Sequence, residues 1–294
     1  MKDVVLITGA STGFGRATAE LLAQAGYSVI ATMRGSTGHN AETRAEIARF
    51  AHVVELDVAS DASVEQGVEK ALEIFGRIDV VINNAGCASM GVTEAHSIDE
   101  FQRVFDTNFF GVLRVNRAVL PGMRARRKGL LIHVSSVLGR STLPYMAAYC
   151  ASKHALESLS DAYRFELMPF GIDCVVVEPG VFQTPIFAKP PVTAADVSRA
   201  EEYGDQNHTQ CVMEGFTRIL SEPDLPPMRV VAEVFQKLIE TPPSERPLRT
   251  YVGGGIEFLE FFNAASEQIR TGLAEVFGVS HLLTASSARE AAQG

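Results

Sequence analysis

The sequence predicts a doubly wound α/β domain, in which helices cover both faces of a seven-stranded parallel sheet. Two observations support this fold class. Short runs of apolar, β-branched residues recur along the chain, and stretches with helical periodicity separate them. The runs do not alternate with polar residues, which indicates strands buried on both faces. Six strand–helix alternations and a last strand occupy about residues 1–255, which we expect to form a single domain.

The individual elements are bounded by changes in periodicity. The basic stretch 124–128 followed by Gly129, for example, indicates the end of the fourth predicted helix. Cations are favourable at a helix carboxyl terminus, and glycine supplies the cap. The predicted strands span 4–8, 28–33, 52–58, 79–83, 130–135, 173–179 and 249–254. The predicted helices span 13–25, 41–50, 60–75, 97–127, 149–169, 228–240 and 256–277.

Two segments lie outside the regular alternation. Residues 185–227 follow the sixth strand and contain six prolines and an acidic, weakly helical middle. A connection of this length in a compact domain is usually functional or disordered, and we expect an insertion that covers the substrate. Residues 256–294 are predicted to form a C-terminal helix and a flexible tail.

Composition excludes several classes of partner. Acidic residues outnumber basic residues 35 to 26, and the resulting net charge of −9 argues against nucleic acid. Four scattered cysteines without a CxxC pair indicate neither a zinc site nor a disulfide framework, which favours a reducing cytoplasm. No apolar run approaches the roughly 20 residues of a membrane span. None of the seven histidines fits a metal site, so we predict no metal.

A glycine-rich loop follows the first predicted strand. In TGASTGFG, residues 8–15, glycines occupy positions 9, 13 and 15, and a helix follows. They permit a tight turn, let the backbone approach a pyrophosphate and let helix and strand pack closely, while the free amides of the helix face the anion. The loop joins the first strand and first helix of a parallel sheet, which is the context that dinucleotide binding requires.

The end of the second strand indicates which dinucleotide binds. An acidic residue there normally bonds the ribose diol of NAD, but this strand ends ATMR at residues 31–34. Arg34 can pair with a 2′-phosphate, which favours NADP(H); a solvated loop arginine is the alternative. Asp57, after the third strand, can accept from an adenine amino group or cap the helix that begins near Ser60.

The stretch LPYMAAYCASKHAL, residues 143–156, places a lysine one helical turn after a tyrosine. Tyr149 and Lys153 would share one face of a helix, about 6 Å apart along its axis. Without further support, such a pair indicates helix packing with a snorkelling lysine. Tyr145 lies one turn further back, and we expect it to line a pocket or to pack.

Four motifs occur in order at successive strand ends. They are the T-G-x-x-x-G-x-G spacing at 8–15, Asn83-Asn84-Ala85-Gly86, Ser136, and Tyr149-x-x-x-Lys153 thirteen residues later. In this combination the chain closely resembles the short-chain dehydrogenase/reductase family over about residues 3–253, which implies a Rossmann-type fold. The ATMR ending, LDV at 56–58 and the pentapeptide YCASK resemble NADP(H)-preferring members of the hydroxysteroid and retinol dehydrogenase type.

The resemblance implies four catalytic residues. Tyr149 would be the proton donor and Lys153 would lower its pKa. A cation about 4 Å from a phenolate, at an effective dielectric near 20, is worth about 4 kcal/mol or roughly three pKa units. Ser136 would stabilise the developing oxyanion, with Ser135 as the competing candidate. Asn108 would hold a water in a proton relay with the lysine, and a structural hydrogen bond is the alternative.

The resemblance also implies the cofactor contacts. Lys153 would bond the nicotinamide ribose, and Asn83 would help to hold the cofactor. The backbone near Val181 and the side chain of Thr184 would hold the carboxamide. The implied cofactor-binding set is Gly9, Ser11, Thr12, Gly13, Phe14, Gly15, Arg34, Asp57, Val58, Asn84, Ala85, Gly86, Tyr149, Lys153, Pro179, Gly180, Val181 and Thr184.

We therefore predict an NADP(H)-dependent oxidoreductase that interconverts a carbonyl and an alcohol by hydride transfer. A catalytically silent NADP(H)-binding sensor or scaffold is one alternative, and an epimerase or dehydratase on the same fold is another. Apolar residues in the insertion favour a lipophilic small-molecule substrate; they are Ile186, Phe187, Tyr203, Met213 and Phe216. Apolar residues on two helices would either form a homodimer or homotetramer interface or face the sheet; they are Phe101, Phe105, Leu156 and Leu159.

Overall fold

One parallel sheet forms the centre of the protein. The computed structural model describes residues 2–184, 186, 192–254 and 257–283. The strands are β1 (Val4–Ile7), β2 (Ser28–Met33), β3 (His52–Glu55), β4 (Val80–Asn83), β5 (Ser89–Met90), β6 (Gly129–Val134), β7 (Ile172–Pro179), β8 (Val192–Thr193) and β9 (Arg249–Val252). Seven of them pair in parallel in the order β3-β2-β1-β4-β6-β7-β9, which confirms the predicted fold class.

Helices connect the strands and cover both faces of the sheet. They are α1 (Gly13–Gln24), α2 (Ala41–Ile47), α3 (Asp61–Phe75), α4 (Ile98–Phe105), α5 (Gly111–Arg126), α6 (Ala147–Leu167), α7 (Val197–Glu201), α8 (Thr209–Leu220), α9 (Arg229–Glu240) and α10 (Glu257–Val276). Leu22 and Phe235 belong to the core on one face, and Val115 and Met123 to the core on the other. Burial on both faces is the reason that the strand sequences are apolar without alternation.

The helix predicted at 97–127 changes its pitch in the middle. Between α4 and α5, residues Asp106–Phe110 form a π-helical segment. Asn108 lies in this segment and is fully buried. Such wide turns are frequent at functional sites, because they direct a side chain away from its regular helical position. Periodicity predicted the helix but not this segment.

The insertion predicted at 185–227 has regular secondary structure in the part that the structure describes. Residues 192–227 contain β8, α7 and α8. β8 pairs in parallel with β5, with Ser89 opposite Val192. These strands have two residues each and therefore carry no periodic pattern, which is why the sequence did not predict them. Residues 185 and 187–191 lie outside the described part of the chain.

Buried ion pairs fix α6 against the last strand of the sheet. The guanidinium of Arg249 on β9 donates to Glu157 at 2.8 Å and to Asp161 at 2.9 Å. The Arg249 and Glu157 side chains are only 5% and 3% exposed. A buried charge without its partner is costly, so these bonds hold α6 at one position along the sheet.

The C-terminal helix packs back on the same end of the domain. Asn263 of α10 donates to Glu178 at 2.6 Å and accepts from Arg140 at 3.0 Å. The Arg140 guanidinium also lies 4.7 Å from the centroid of the Phe262 ring. α10 coincides with the helix predicted at 256–277, whereas most of the predicted flexible tail, residues 284–294, lies outside the described residues.

Candidate active site

A cavity of about 510 Å³ lies at the carboxyl ends of β1, β4, β6 and β7. The strand order reverses between β1 and β4, and doubly wound sheets bind their ligands at such a switch point. All of the predicted site residues line the cavity except Gly15, Asn83 and Asn108. Those that line it are Gly9, Ser11, Thr12, Gly13, Phe14, Arg34, Asp57, Val58, Asn84, Ala85, Gly86, Ser136, Tyr149, Lys153, Pro179, Gly180, Val181 and Thr184.

The glycine-rich loop depends on three glycines for two different reasons. Gly9 and Gly13 have φ of +66° and +62°, a conformation that side chains with a Cβ rarely adopt. Gly15 has no such constraint, but an added Cβ would lie 2.6 Å from the Gly9 carbonyl oxygen and 2.6 Å from Asn84 Nδ2. Gly15 therefore allows the helix to pack closely against the loop and Asn84, on the side away from the cavity. The resulting backbone is bare on the side where a pyrophosphate would approach.

Hydrogen bonds join the glycine-rich loop to the end of β4. Thr8 Oγ1 accepts from the backbone amides of Asn84 and Ala85, both at 3.0 Å. The Asn84 side chain donates back to the carbonyls of Thr8 at 2.9 Å and Gly9 at 3.2 Å. Thr8 was not predicted as a site residue, although the first position of the T-G spacing was a signal for it. Asn84 thus holds the loop in addition to lining the cavity.

The loop after β2 is held by a carboxylate from β3. Glu55 accepts from the backbone amides of Gly35 and Ser36, both at 2.6 Å. Desolvation acts to raise the pKa of Glu55, but the hydrogen bonds from Ser36 and Gly35 outweigh it and keep that pKa below its usual value. The exposed Arg34 precedes these two residues and lines the cavity. Its position is compatible with a contact to a 2′-phosphate.

Asp57 lies at the cavity and does not cap α3. Its carboxylate accepts from the backbone amide of Ala59 at 3.0 Å. The cap of α3 is Ser60, whose hydroxyl accepts from the amide of Ser63 at 3.3 Å. The alternative considered for Asp57 is therefore wrong, and contact with an adenine remains a prediction.

The structure separates the two candidate serines. Ser136 lines the cavity, accepts from the amide of Leu138 at 3.1 Å and is hydrogen-bonded to the Tyr149 side chain. Ser135 also borders the cavity, but its hydroxyl is buried without a hydrogen-bond partner among the described residues and lies beside Gly139. This geometry favours Ser136 as the serine that acts together with the tyrosine.

Tyr149 and Lys153 are buried next to each other in the cavity wall. Their residues are 5% and 4% exposed, and the lysine Nζ lies 5.9 Å from the centroid of the tyrosine ring. Lys153 Nζ donates to the carbonyl oxygen of Val134 at 2.8 Å, at the end of β6. The lysine therefore does not snorkel to solvent, and both residues line the cavity together with Ser136.

The expected lowering of the tyrosine pKa is wrong for this geometry. Burial raises the pKa of Tyr149 to about 12, although the hydrogen bond from Ser136 acts in the opposite direction. Burial also lowers the pKa of Lys153 to about 8, with the charges of Cys87 and Glu157 opposing that change. The expectation assumed a cation about 4 Å from the phenolate oxygen. Here the ammonium is directed to Val134, and desolvation of the phenol dominates.

Asn108 holds the segment after β4. Its Oδ1 accepts from the amide of Cys87 at 2.9 Å, and its Nδ2 donates to the Cys87 carbonyl at 3.0 Å and to Ser152 at 3.0 Å. The side chain therefore makes the structural hydrogen bonds that were the alternative to a water relay. Asn108 does not line the cavity itself, but it fixes the backbone of Cys87, and Cys87 and the adjacent Gly86 do line it.

The expectation that Asn83 holds the cofactor is wrong. The side chain of Asn83 is directed away from the cavity and donates to Asn116 at 2.9 Å. Asn116 in turn contacts His133 at 3.0 Å, within the buried interior. Successive residues at a strand end point to opposite sides, so Asn84 reaches the loop and Asn83 does not.

Several apolar side chains cover Tyr149, and the sequence analysis predicted only some of them. Leu138, Leu143, Ile186, Val212 and Phe216 pack against the cluster that contains the tyrosine. Of the predicted insertion residues, Ile186 and Phe216 line the cavity, Tyr203 and Met213 are exposed, and Phe187 lies outside the described residues. Cavity residues that the sequence did not reveal include His39, Asn40, Cys87, Thr107, Leu138 and Phe182.

Comparison with known proteins agrees with this architecture. The family model for short chain dehydrogenase matches residues 3–193. The chain is 40% identical over 182 residues to 3-ketodihydrosphingosine reductase of Bacteroides thetaiotaomicron, covering 62% of this chain and 65% of that protein. It is 39% identical over 211 residues to human retinol dehydrogenase 8, covering 70% of this chain and 66% of that protein. These matches span just under two thirds of each relative's length.

Solved structures of related proteins have the same fold. A short-chain dehydrogenase from Streptomyces avermitilis has a TM-score of 0.74 and 32% identity, covering 95% of this chain and 98% of its own. An actinorhodin polyketide ketoreductase with NADPH has a TM-score of 0.70 and 30% identity, covering 87% and 97%. A short-chain dehydrogenase/reductase from Burkholderia phymatum in complex with NAD has a TM-score of 0.74 and 26% identity, covering 92% and 95%.

The chain belongs to the short-chain dehydrogenase family, a class of nicotinamide-dependent oxidoreductases that act on alcohol and carbonyl groups. The predicted family and enzyme class are thereby confirmed. Within the described ranges, no helix combines the length and the hydropathy that crossing a membrane requires. The same residues include no group of three or more His, Cys, Asp or Glu placed to hold a metal ion.

Proposed function

We propose that this protein is an NADP(H)-dependent oxidoreductase that interconverts a carbonyl and an alcohol on a lipophilic small molecule. One observation carries the proposal: Ser136, Tyr149 and Lys153 meet in the wall of the same cavity that the glycine-rich loop borders. A catalytic acid and a dinucleotide-binding loop in one cavity are what hydride transfer between a cofactor and a carbonyl requires.

The residues at the nucleotide end fit a dinucleotide. The left-handed Gly9 and Gly13 leave the loop without side chains where phosphates would lie, and α1 begins at Gly13. Arg34 supports NADP(H) over NAD(H), since β2 ends without a carboxylate and an arginine pairs well with a phosphate. Solved relatives contain NADPH in one case and NAD in another, so this preference rests on Arg34.

The catalytic groups of the chain are suited to move one proton. A bound nicotinamide supplies or accepts the hydride at the substrate carbon. Tyr149 carries its proton at neutral pH because its pKa is about 12, and it gives that proton to the substrate oxygen as negative charge develops there. Ser136 donates a hydrogen bond to the same oxygen. Lys153, whose pKa is about 8, is mostly charged at pH 7. Its Nζ lies 5.9 Å from the centroid of the Tyr149 ring, and its charge would act to stabilise the phenolate that forms.

The apolar cover supports a lipophilic substrate. Leu138, Ile186 and Phe216 line the cavity near Tyr149, and burial of an apolar group of the substrate against them is favourable. The acidic character of the insertion disfavours anionic substrates. Two relatives have names that refer to lipid-like compounds, 3-ketodihydrosphingosine and retinol. The same preference in this chain is part of the proposal.

Replacing the catalytic phenol tests the reaction. With NADPH and straight-chain aldehydes, Tyr149→Phe should lower kcat by at least about 100-fold, because it removes the proton donor. NADPH affinity, measured by fluorescence titration, should change less than about threefold. Tyr251→Phe, which alters an exposed tyrosine of β9, is the matched control. Near-normal turnover by the Tyr149 variant would show that the acid is misassigned. A wild-type protein that binds NADPH but turns over no carbonyl or alcohol would instead be a sensor or scaffold.

Replacing Arg34 tests the cofactor preference. Arg34→Ala should raise the KM for NADPH about tenfold and leave the KM for NADH nearly unchanged, since only NADPH carries the 2′-phosphate. Arg44→Ala, on the exposed surface of α2, is the control because Arg44 does not line the cavity. Equal losses with both cofactors, or a wild-type preference for NADH, would contradict the role given to Arg34.

We further propose a cytoplasmic homodimer or homotetramer, with a correction to the surface that forms it. Leu156 is fully buried and is therefore not available to a partner, and Leu159 is partly buried against the core. Phe101 and Phe105 are partly exposed and remain candidates. Light scattering of the purified protein measures the number of subunits, and Phe101→Asp should reduce it if this surface is the interface.

A further inference from the structure

Tyr145 joins the segment before the catalytic helix to the segment before α8. Its phenolic hydroxyl donates to the Gln206 carbonyl at 3.1 Å and accepts from the His208 backbone amide at 3.1 Å. The two contacts connect residues 61 and 63 positions apart in the sequence. Tyr145 does not line the cavity, so the expectation that it lines the pocket or packs is replaced by a specific contact.

The backbone of Tyr145 is held in an unfavourable conformation. Its φ is +64°, in the left-handed region that residues with a Cβ avoid. The Tyr145 carbonyl accepts a hydrogen bond from the amide of Gly91 at 2.8 Å. Both the backbone and the side chain of Tyr145 are therefore hydrogen-bonded. Strained residues persist where the surroundings determine them, and they concentrate near functional sites. This one lies four residues before Tyr149.

The element held by Tyr145 is the cover of the cavity. His208 immediately precedes α8, and its carbonyl accepts from the amide of Val212 in the first turn. Val212 and Phe216 of α8 are packed on the cluster that includes Tyr149, and Phe216 lines the cavity. The Tyr145 hydroxyl is therefore bonded to the residue that immediately precedes α8, the helix that carries Val212 and Phe216.

The other end of the cover is held by main-chain bonds. The amide of Val192 donates to the Ala88 carbonyl at 2.9 Å, next to the pairing of β8 with β5. Ser89 of β5 in turn accepts from the backbone amide of Tyr149 at 3.1 Å. The cover is thus connected to the neighbourhood of Tyr149 at two points, near Val192 and at residues 206–208. The contact made by Tyr145 depends on a side-chain hydroxyl that substitution can remove.

We propose that Tyr145 is a positioning residue that fixes α8 over the cavity and thereby sets the selectivity for long lipophilic substrates. This inference rests on the proposed function. Tyr145 touches neither the reacting atoms nor the cofactor site. Its effect is exerted through Phe216 and Val212 and should grow with the length of the substrate's apolar part.

Hydrogen–deuterium exchange tests the contact without any need for activity. Tyr145→Phe keeps the ring and removes the donor and acceptor, so exchange in residues 206–216 should become about threefold to tenfold faster. Exchange in α1 and α9 should be unchanged. Tyr203→Phe is the matched control, because Tyr203 belongs to the same cover but bonds the exposed Glu94, at 2.9 Å. Unchanged exchange in 206–216 in the Tyr145 variant would overturn the proposal, as would an equal effect of the Tyr203 variant.

Kinetics with a chain-length series test the consequence. With NADPH and saturated aldehydes from propanal to dodecanal, Tyr145→Phe should raise the KM for the longest aldehydes about threefold to tenfold. The KM for propanal, the kcat and the NADPH affinity should change less than about twofold. A uniform loss across the series would overturn the selectivity role. Lack of turnover by the wild-type protein would reject the proposed function, while the exchange experiment would still report on the contact itself.

A second variant reaches the same contact from the other side. His208→Pro removes the amide that donates to Tyr145; the site accepts proline because His208 has φ of −91° and Asn207 is extended. The two variants should not be additive, and the double variant should resemble Tyr145→Phe, which loses both hydrogen bonds. Independent, additive effects would show that Tyr145 and His208 do not act through their shared hydrogen bond.

Discussion

The glycine-rich loop and the cover formed by residues 192–220 border the same cavity but are built in different ways. The loop depends on backbone conformation: Gly9 and Gly13 have positive φ, and hydrogen bonds between Thr8 and Asn84 join the end of β1 to the end of β4. In the cover, side chains dominate, since Phe216 packs on an apolar cluster and Tyr145 bonds the start of α8. A site that binds a constant cofactor can be made of backbone, whereas a site that selects a substrate depends on replaceable side chains.

The comparison predicts the largest effect in the loop. Gly15→Ala adds a Cβ within 2.6 Å of the Gly9 carbonyl and Asn84 Nδ2, and both belong to the rigid network. We expect at least about a 100-fold loss of NADPH affinity by calorimetry, because displacement of the loop removes several backbone contacts at once. The matched control is Gly122→Ala in α5, where the added Cβ meets only the flexible Arg126 side chain. A Gly15 variant with wild-type affinity would show that the loop is not rigid.

The cover should show a smaller and more selective effect. Phe216→Ala should raise the KM for a long-chain aldehyde about tenfold to thirtyfold, because loss of part of this apolar contact costs about 1.5–2 kcal/mol, near the lower end of the value for burying a large apolar side chain. The affinity for NADPH should stay unchanged. Met213→Ala on the same helix is the control, since Met213 is 45% exposed and does not line the cavity. A loss of cofactor affinity in the Phe216 variant would contradict the separation of the two regions.

The pH dependence of the rate should report the ionisation of Lys153, which lines the cavity that the two regions share. Burial lowers the pKa of Lys153 to about 8, so its ammonium loses its proton as the pH rises through 8. The charge that stabilises the phenolate is present below that pH and absent above it, and kcat for carbonyl reduction should fall about tenfold from pH 7 to pH 9. Lys153→Arg should move the fall beyond pH 9 in any activity that it retains. A flat wild-type profile over this range would remove the electrostatic role of Lys153.

Sequence reasoning was most accurate where function depends on spacing along one element. The separation of Tyr149 and Lys153 by four residues placed both in the cavity wall, and the glycine spacing placed the loop. It was less accurate where the answer depended on burial. The same tyrosine was expected to have a lowered pKa, but desolvation raises it to about 12, and the extent of burial is set by α8 and the strands around it. Asn83 and Asn84 are adjacent in sequence and were separated only by the direction of their side chains.

The sequence by itself determined the parallel sheet, the glycine-rich loop and the order of the candidate catalytic residues, because each depends on local periodicity or on short spacings in the sequence. Only the tertiary structure decided that Asn108 lies in a π-helical segment and that Tyr145 bonds Gln206 and His208. These features depend on contacts between distant parts of the chain, and short-range patterns carry no information about which partners will meet.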